Sequence, residues 1–84
     1  MMSTITRDAK QLGAAFRRVR KHQGLSQAQL GEKAGLRQEM ISLIETGNPG
    51  TGVDTILRVL AALKLDMVIT ERELHEPYDP EKIF

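Results

Sequence analysis

Residues 25–47, LSQAQLGEKAGLRQEMISLIETG, predict two short helices joined by a glycine turn. Ser26 is a favourable N-cap, and Gln29, three residues later, completes a capping box. Gly35 ends the first of these helices, because glycine adopts the left-handed conformation without a steric penalty. The second helix starts after a weaker cap at Arg37. Two short helices around such a turn indicate a helix-turn-helix, whose second helix enters the major groove of DNA.

A helix is also predicted before this motif. Asp8 can cap it, with Gln11 at the capping-box position. Its apolar residues recur at helical spacing, at Leu12, Ala15, Phe16 and Val19. The helix ends near Gly24, and the basic residues of its last turn suit the negative end of the helix dipole.

The sequence after residue 47 predicts one more helix and a short strand. Thr51 and Asp54 form a capping-box pair for a helix that runs to about Lys64. The expected apolar stripe consists of Val53, Ile56, Leu57, Leu60 and Leu63. The strand consists of Met67, Val68, Ile69 and Thr70. It has no predicted partner within the chain, so we expect it to pair with a second copy across a two-fold axis, in a homodimer.

The predicted fold is mainly α, with four to five short helices including a helix-turn-helix, plus one short C-terminal strand pairing across a dimer. Residues 1–71 form the predicted DNA-binding and dimerisation domain. Residues 72–84 are charged, contain two prolines and lack periodicity, which is typical of a flexible tail. The tail ends in Ile83 and Phe84, which could anchor a protein partner or simply fray.

Composition excludes several classes of function. The chain has no cysteine, so it offers no disulfide framework, thiolate metal site or thiol nucleophile. Its two histidines, His22 and His75, are far apart, and no catalytic, metal or cofactor motif accompanies them. We therefore predict that the protein is not an enzyme and needs no cofactor. No apolar run is long enough to span a membrane and no signal peptide is visible, so a cytoplasmic, nucleoid-associated protein is expected.

The charges are divided unevenly along the chain. The formal net charge is only +1, but residues 1–37 contain eight basic and two acidic residues, whereas residues 38–84 contain four basic and nine acidic ones. The two parts therefore carry +6 and −5. This asymmetry favours a front that faces nucleic acid and an acidic rear that avoids phosphate.

The motif resembles the phage-repressor and Cro-like (XRE) family, over residues from about Leu12 to Leu65. The matching residues are Gln27, Leu30, Gly31, Gly35, Ile41, Ile44, Glu45 and Gly47. The resemblance implies that Arg20 pairs with Glu45 and so ties the first helix to the recognition helix. For this reason Arg20 is counted with the DNA-binding residues. A bulky side chain at Gly31 is expected to separate the two motif helices, because only a very small residue lets their backbones approach.

The resemblance also implies which residues meet DNA. Gln38 is the expected principal base reader, since its amide suits adenine N6 and N7. Arg37 beside it could bind guanine or only phosphate, and Ser26 and Gln27 are expected to contact phosphate. Two further positions, Glu39 and Leu43, are often neutral and polar in the family. Here Glu39 could accept from cytosine N4 or weaken binding, and Leu43 could pack on a thymine methyl group.

The second half of the chain sharpens the resemblance. The loop after Gly47, the segment VDTILRVLAALKLDM and the strand-like VIT are similar to HipB antitoxins. That resemblance implies a repressor that binds an inverted-repeat operator in double-stranded DNA, regulates its own operon and binds a HipA-like serine/threonine kinase toxin. A stand-alone repressor, a restriction-system or phage regulator, and an interaction module that has lost DNA binding remain the alternatives.

Overall fold

The computed structural model describes residues 3–72, and these contain four α-helices: α1 (Ala9–His22), α2 (Gln27–Ala34), α3 (Gln38–Glu45) and α4 (Val53–Ala62). All four correspond to helices predicted from the sequence, and only the ends of α4 differ from the prediction. None of the helices in this part of the chain has both the length and the apolar character needed to cross a bilayer. Ile83 and Phe84, the predicted partner anchors, lie outside the described residues.

The helix starts predicted at Asp8 and Ser26 are confirmed. The Asp8 carboxylate accepts from the Gln11 backbone N–H at 2.7 Å, although the Gln11 side chain accepts from the Arg7 N–H instead of closing the box on Asp8. Ser26 Oγ accepts from the Gln29 N–H at 3.0 Å, and Gln29 Oε1 accepts from the Ser26 N–H at 2.8 Å. This complete capping box fixes where α2 begins.

Glycines set the separation of the helices. Gly35 ends α2 with φ 70°, as predicted. A Cβ on Gly31 would lie 2.6 Å from the Leu36 carbonyl oxygen, which confirms the need for a very small residue there. A second close contact, at Gly13, was not predicted: a Cβ there would lie 2.8 Å from the Glu45 carbonyl oxygen. The backbone of α1 therefore packs directly against the end of α3.

One apolar core joins all four helices. Its buried side chains are Phe16, Leu30, Ile41, Ile44, Val59, Leu60 and Leu63. Leu12 and Val19 of the predicted α1 stripe are partly buried against it, and Ala15 is buried. The core is small, as expected for a domain of this length, and its stability is correspondingly limited.

The predicted capping box of α4 is wrong. The helix has Gly52 as its N-cap and no side-chain cap. Thr51 Oγ1 instead donates to the Asn48 carbonyl oxygen at 3.3 Å, and the Gly50 N–H donates to Asn48 Oδ1 at 2.8 Å. The Thr51 hydroxyl thus forms a hydrogen bond within the loop and does not cap α4. At the other end, α4 stops at Ala62, two residues earlier than predicted.

The predicted buried face of α4 is also partly wrong. Leu60 and Leu63 are buried, but Val53 and Leu57 are 70% and 47% exposed. The face that packs inward follows the helical spacing Ile56, Val59, Leu60 and Leu63. Leu57 lies to one side of that face, and Val53 lies in the first turn beyond the core.

Residues 65–72 have no regular secondary structure in the described chain. The side chains of Met67, Val68 and Ile69 are exposed. A strand that pairs only with a second copy has no backbone partner within one chain. The pairing strand at Met67–Thr70 therefore stays a prediction.

Candidate nucleic-acid interface

A buried ion pair fixes α3 against α1. Arg20 Nε donates to Glu45 Oε2 at 2.6 Å and Nη2 donates to Oε1 at 3.0 Å, with side chains only 8% and 2% exposed. Arg20 Nη1 also donates to the Leu25 carbonyl oxygen at 2.8 Å, before α2 begins. The bidentate geometry holds the orientation as well as the distance. The structure thus contains the pair implied by the family resemblance.

The environment of Arg20 decides its role. Its hydrogen bonds to Glu45 raise the pKa of Arg20 above its ordinary value, and this effect outweighs the desolvation that lowers it. The guanidinium therefore remains charged within the protein. Because Arg20 is buried, it positions α3 and does not itself form part of the exposed interface.

The same carboxylate orients a residue at the start of α2. Gln27 Nε2 donates to Glu45 Oε1 at 3.2 Å, and the residue is half-buried. A carboxylate only accepts, so the amide nitrogen of Gln27, rather than its oxygen, must face Glu45. The second N–H of that amide is not used by Glu45. It lies at the start of α2, as does the exposed Ser26. The sequence did not predict this contact, since it joins residues that are distant in the chain.

The exposed surface of α3 carries the predicted base-reading residues. Arg37, Gln38, Glu39 and Leu43 are all exposed. The opposite side of the helix is buried through Ile41, Ile44 and Glu45. Arg37 caps α3 through its backbone and makes no side-chain capping hydrogen bond. The side chains that hold α3 in place and those predicted to meet DNA therefore occupy different faces.

Met40 was missing from the predicted interface. It is 36% exposed on the same helix, three residues before Leu43, whose side chain is 46% exposed. The spacing of Ile41 and Ile44 could have predicted this exposure. Two buried positions three residues apart define the centre of the buried face, and Met40 lies to one side of it.

A second exposed surface lies in the C-terminal part of the described chain. It comprises Val53, Leu57, Met67, Val68 and Ile69, and we call it the C-terminal apolar surface. All five side chains are exposed in the single chain. Among residues 3–72, no group of three or more acidic or histidine side chains is placed to hold a metal ion.

A model of the helix-turn-helix family matches residues 16–69 of the chain, which include the whole of α2, α3 and α4. The antitoxin HipB of Escherichia coli strain K12 is 31% identical over 72 residues, which cover 86% of this chain and 82% of HipB.

Solved structures show the same similarity. A structure of a HipB complex with the O4 20mer superposes with a TM-score of 0.79 at 28% identity, over 84% of this chain and all of the HipB chain. A structure of a HipA–HipB–O2–O3 complex superposes with a TM-score of 0.76 at 30% identity, again over 84% and 100% of the two chains.

Proposed function

The chain belongs to the helix-turn-helix family that includes the HipB antitoxins, and we propose that it is a sequence-specific DNA-binding repressor that acts as the antitoxin of a HipA-like kinase. The observation that carries the proposal is the exposed surface of α3, held in a fixed orientation by the buried Arg20–Glu45 pair. Members of this family are DNA-binding regulators and not enzymes, in agreement with the sequence analysis.

In this proposal α3 lies in the major groove and Gln38 is the principal base reader. Its exposed amide can bind adenine through N6 and N7. Arg37 at the N-cap contacts guanine or phosphate, and the carboxylate of Glu39 in the first turn accepts from an amino group such as cytosine N4.

The start of α2 contacts the phosphate backbone. Backbone N–H groups at a helix N-terminus favour anions, and Ser26 and Gln27 lie there. The contact with Glu45 leaves one N–H of the Gln27 amide for a phosphate oxygen. Arg20 contributes indirectly, by holding Glu45 and therefore both helices.

The proposed DNA-binding unit is a homodimer formed by residues 1–71. Met67, Val68, Ile69 and Thr70 form a strand with the same residues of a second copy, and exposed Val53 and Leu57 extend the contact. Two-fold symmetry then requires an inverted-repeat operator with half-sites about one helical turn, or a multiple, apart.

The second partner in the proposal is a HipA-like serine/threonine kinase toxin. A relative with 30% identity occurs in a HipA–HipB–O2–O3 complex. The face away from α3 and the tail, residues 72–84 with Ile83 and Phe84 at its end, would bind the kinase. Such a protein would act in the cytoplasm, on the nucleoid. Co-expression with the neighbouring open reading frame should give a complex with the full chain, and a version ending at Arg72 should bind more weakly.

The α3 surface also favours a second candidate, an interaction module that no longer binds DNA. Exposed Glu39 adds negative charge where phosphates would approach, and exposed Leu43 adds an apolar contact. Fluorescence anisotropy with the DNA upstream of the protein's own gene separates the two functions. A repressor should bind that DNA far more tightly than scrambled DNA of equal length, whereas equal binding to both, or no binding, would contradict the repressor proposal.

The same assay tests the named base reader. Gln38→Ala should lose about 1–3 kcal/mol of binding free energy and relax the preference at one base pair. Ser3→Ala, which removes an exposed and uncharged polar group outside the proposed interface, is the control and should bind as the parent does. If Gln38→Ala binds the operator as tightly as the parent, Gln38 does not read a base.

A further inference from the structure

Two apolar side chains lie next to each other on the exposed surface of α3. Met40 and Leu43 are 36% and 46% exposed and are three residues apart, so they are neighbours on the helix surface. Both could have been buried only by displacing Ile41 and Ile44, which already fill the inward positions. Their exposure is therefore a property of the fold of α3.

These two residues stand apart from the other exposed apolar side chains of residues 3–72. Among the large apolar side chains that are exposed, all the others except Ile5 near the N-terminus belong to the C-terminal apolar surface. Met40 and Leu43 instead lie among the polar residues that we assign to base reading. On the basis of the proposed function, we propose that they form an apolar strip that contacts the 5-methyl groups of two thymines in each half-site.

The chemistry of the major groove supports this ligand. The thymine methyl is the apolar group that base edges present there, and each base pair otherwise offers hydrogen-bond donors and acceptors. If Gln38 binds an adenine, the thymine paired with it exposes its methyl group in the same groove. A half-site with several A·T pairs therefore offers adenine to Gln38 and thymine methyl groups to the apolar strip.

The position of Glu39 orders the contacts around the helix. Leu43 is one turn after Glu39 and one turn after Met40, so it lies between them on the surface of α3. A carboxylate cannot accept from thymine O4, which is itself an acceptor. The thymines are therefore placed towards Met40, and a base with an amino group is placed towards Glu39.

Size and charge favour DNA over a protein on this strip. A stable protein interface buries about 800 Å² on each partner, which is far more than two half-exposed side chains provide. Exposed Arg37 precedes the strip, and the first 37 residues carry a formal charge of +6. A polyanion with isolated methyl groups matches this surface better than an apolar protein face does.

Replacement of thymine by deoxyuracil tests the proposal, because it removes only the 5-methyl group. The preferred site is first selected from random-sequence duplexes with the full-length protein, and each thymine is then replaced in turn. Two positions in each half-site should show weaker binding, by about fourfold per methyl and about fifteenfold for one position changed in both half-sites. Replacements elsewhere should have no effect.

Protein variants assign the methyl groups to side chains. Leu43→Ala and Met40→Ala should each bind the parent site more weakly and lose the distinction between thymine and deoxyuracil at one position. Ile5→Ala, which truncates an exposed apolar residue that is not part of α3, should keep that distinction. Thermal unfolding of the three variants shows whether the fold is retained, as their exposure predicts.

The outcomes separate this proposal from the proposed function. Specific binding that is equally tight to thymine and deoxyuracil sites would overturn the methyl contact and leave the repressor intact. Selection of no preferred duplex would overturn both. A deoxyuracil effect that persists unchanged in Leu43→Ala and Met40→Ala would assign the methyl groups to other residues and so reject the strip.

Discussion

Replacement of Glu45 by leucine should destabilise the domain by about 3–5 kcal/mol, because it leaves the Arg20 guanidinium buried without its carboxylate. Arg20 would retain the bond to the Leu25 carbonyl oxygen and lose both bonds to Glu45. The free energy of unfolding of natural domains is about 5–15 kcal/mol. The Glu45→Leu variant of a domain of this size should therefore be close to unfolding.

A double replacement separates the loss of the pair from the cost of an unpaired charge. Arg20→Met combined with Glu45→Leu removes both charges and should recover about 2 kcal/mol or more relative to Glu45→Leu alone. Asp54→Ala is the matched control, since Asp54 and Arg58 form an exposed pair at 3.9 Å. Such a pair contributes about 0–1 kcal/mol, so its loss should change stability little.

Urea unfolding followed by far-UV circular dichroism measures these differences. The effect of Glu45→Leu should not decrease as the pH is raised from neutral to about pH 9. The pKa of Arg20 is raised in the folded state, so its contribution is fully present below the pKa of the unfolded state and is lost only as the pH rises through the folded pKa, above this range. If the double variant is as unstable as Glu45→Leu alone, the buried charge is not the cause of the destabilisation.

Three further predictions concern the backbone and the dimer. Val68→Pro should produce monomers in light scattering because it removes a ladder donor from the proposed strand, whereas a Val68→Pro protein that stays dimeric would place the interface elsewhere. Gly13→Ala should lower the free energy of unfolding in urea by about 1–3 kcal/mol, because its Cβ would overlap the backbone of α3. Gly50→Ala should change that free energy much less, because the atom nearest to its Cβ would be a side-chain oxygen at 3.3 Å. Lys64→Gly should raise the thermal midpoint and the free energy of unfolding, the latter by about 0.5–1 kcal/mol, because Lys64 has φ 58°, which glycine adopts without a steric penalty. An equal gain in Lys64→Ala would reject this explanation.

Local signals in the sequence predicted the motif well. Ser26, Gln29 and Gly35 act within a few residues of their own positions, so the start and end of α2 could be read directly. The pairing of Arg20 with Glu45 came from the family resemblance, because residues 25 positions apart carry no local signal of contact.

Features that depend on tertiary packing were missed or misplaced. Gly13 is required by the end of α3, and the inward face of α4 is selected by the core that the other helices have already formed. Periodicity alone therefore included Val53 and Leu57 in the buried stripe and omitted Val59. The sequence allows the Thr51 hydroxyl either to cap α4 with Asp54 or to donate to the Asn48 carbonyl oxygen. The loop geometry selects Asn48.

The division of α3 into two faces has a consequence for how such proteins diverge. Ile41, Ile44 and Glu45 maintain the fold, whereas Gln38, Glu39 and Leu43 have no part in the core. Substitutions on the outer face can therefore accumulate at little cost to folding. New operator preferences can arise on an unchanged scaffold, and duplicated copies can acquire separate regulons without first gaining extra stability.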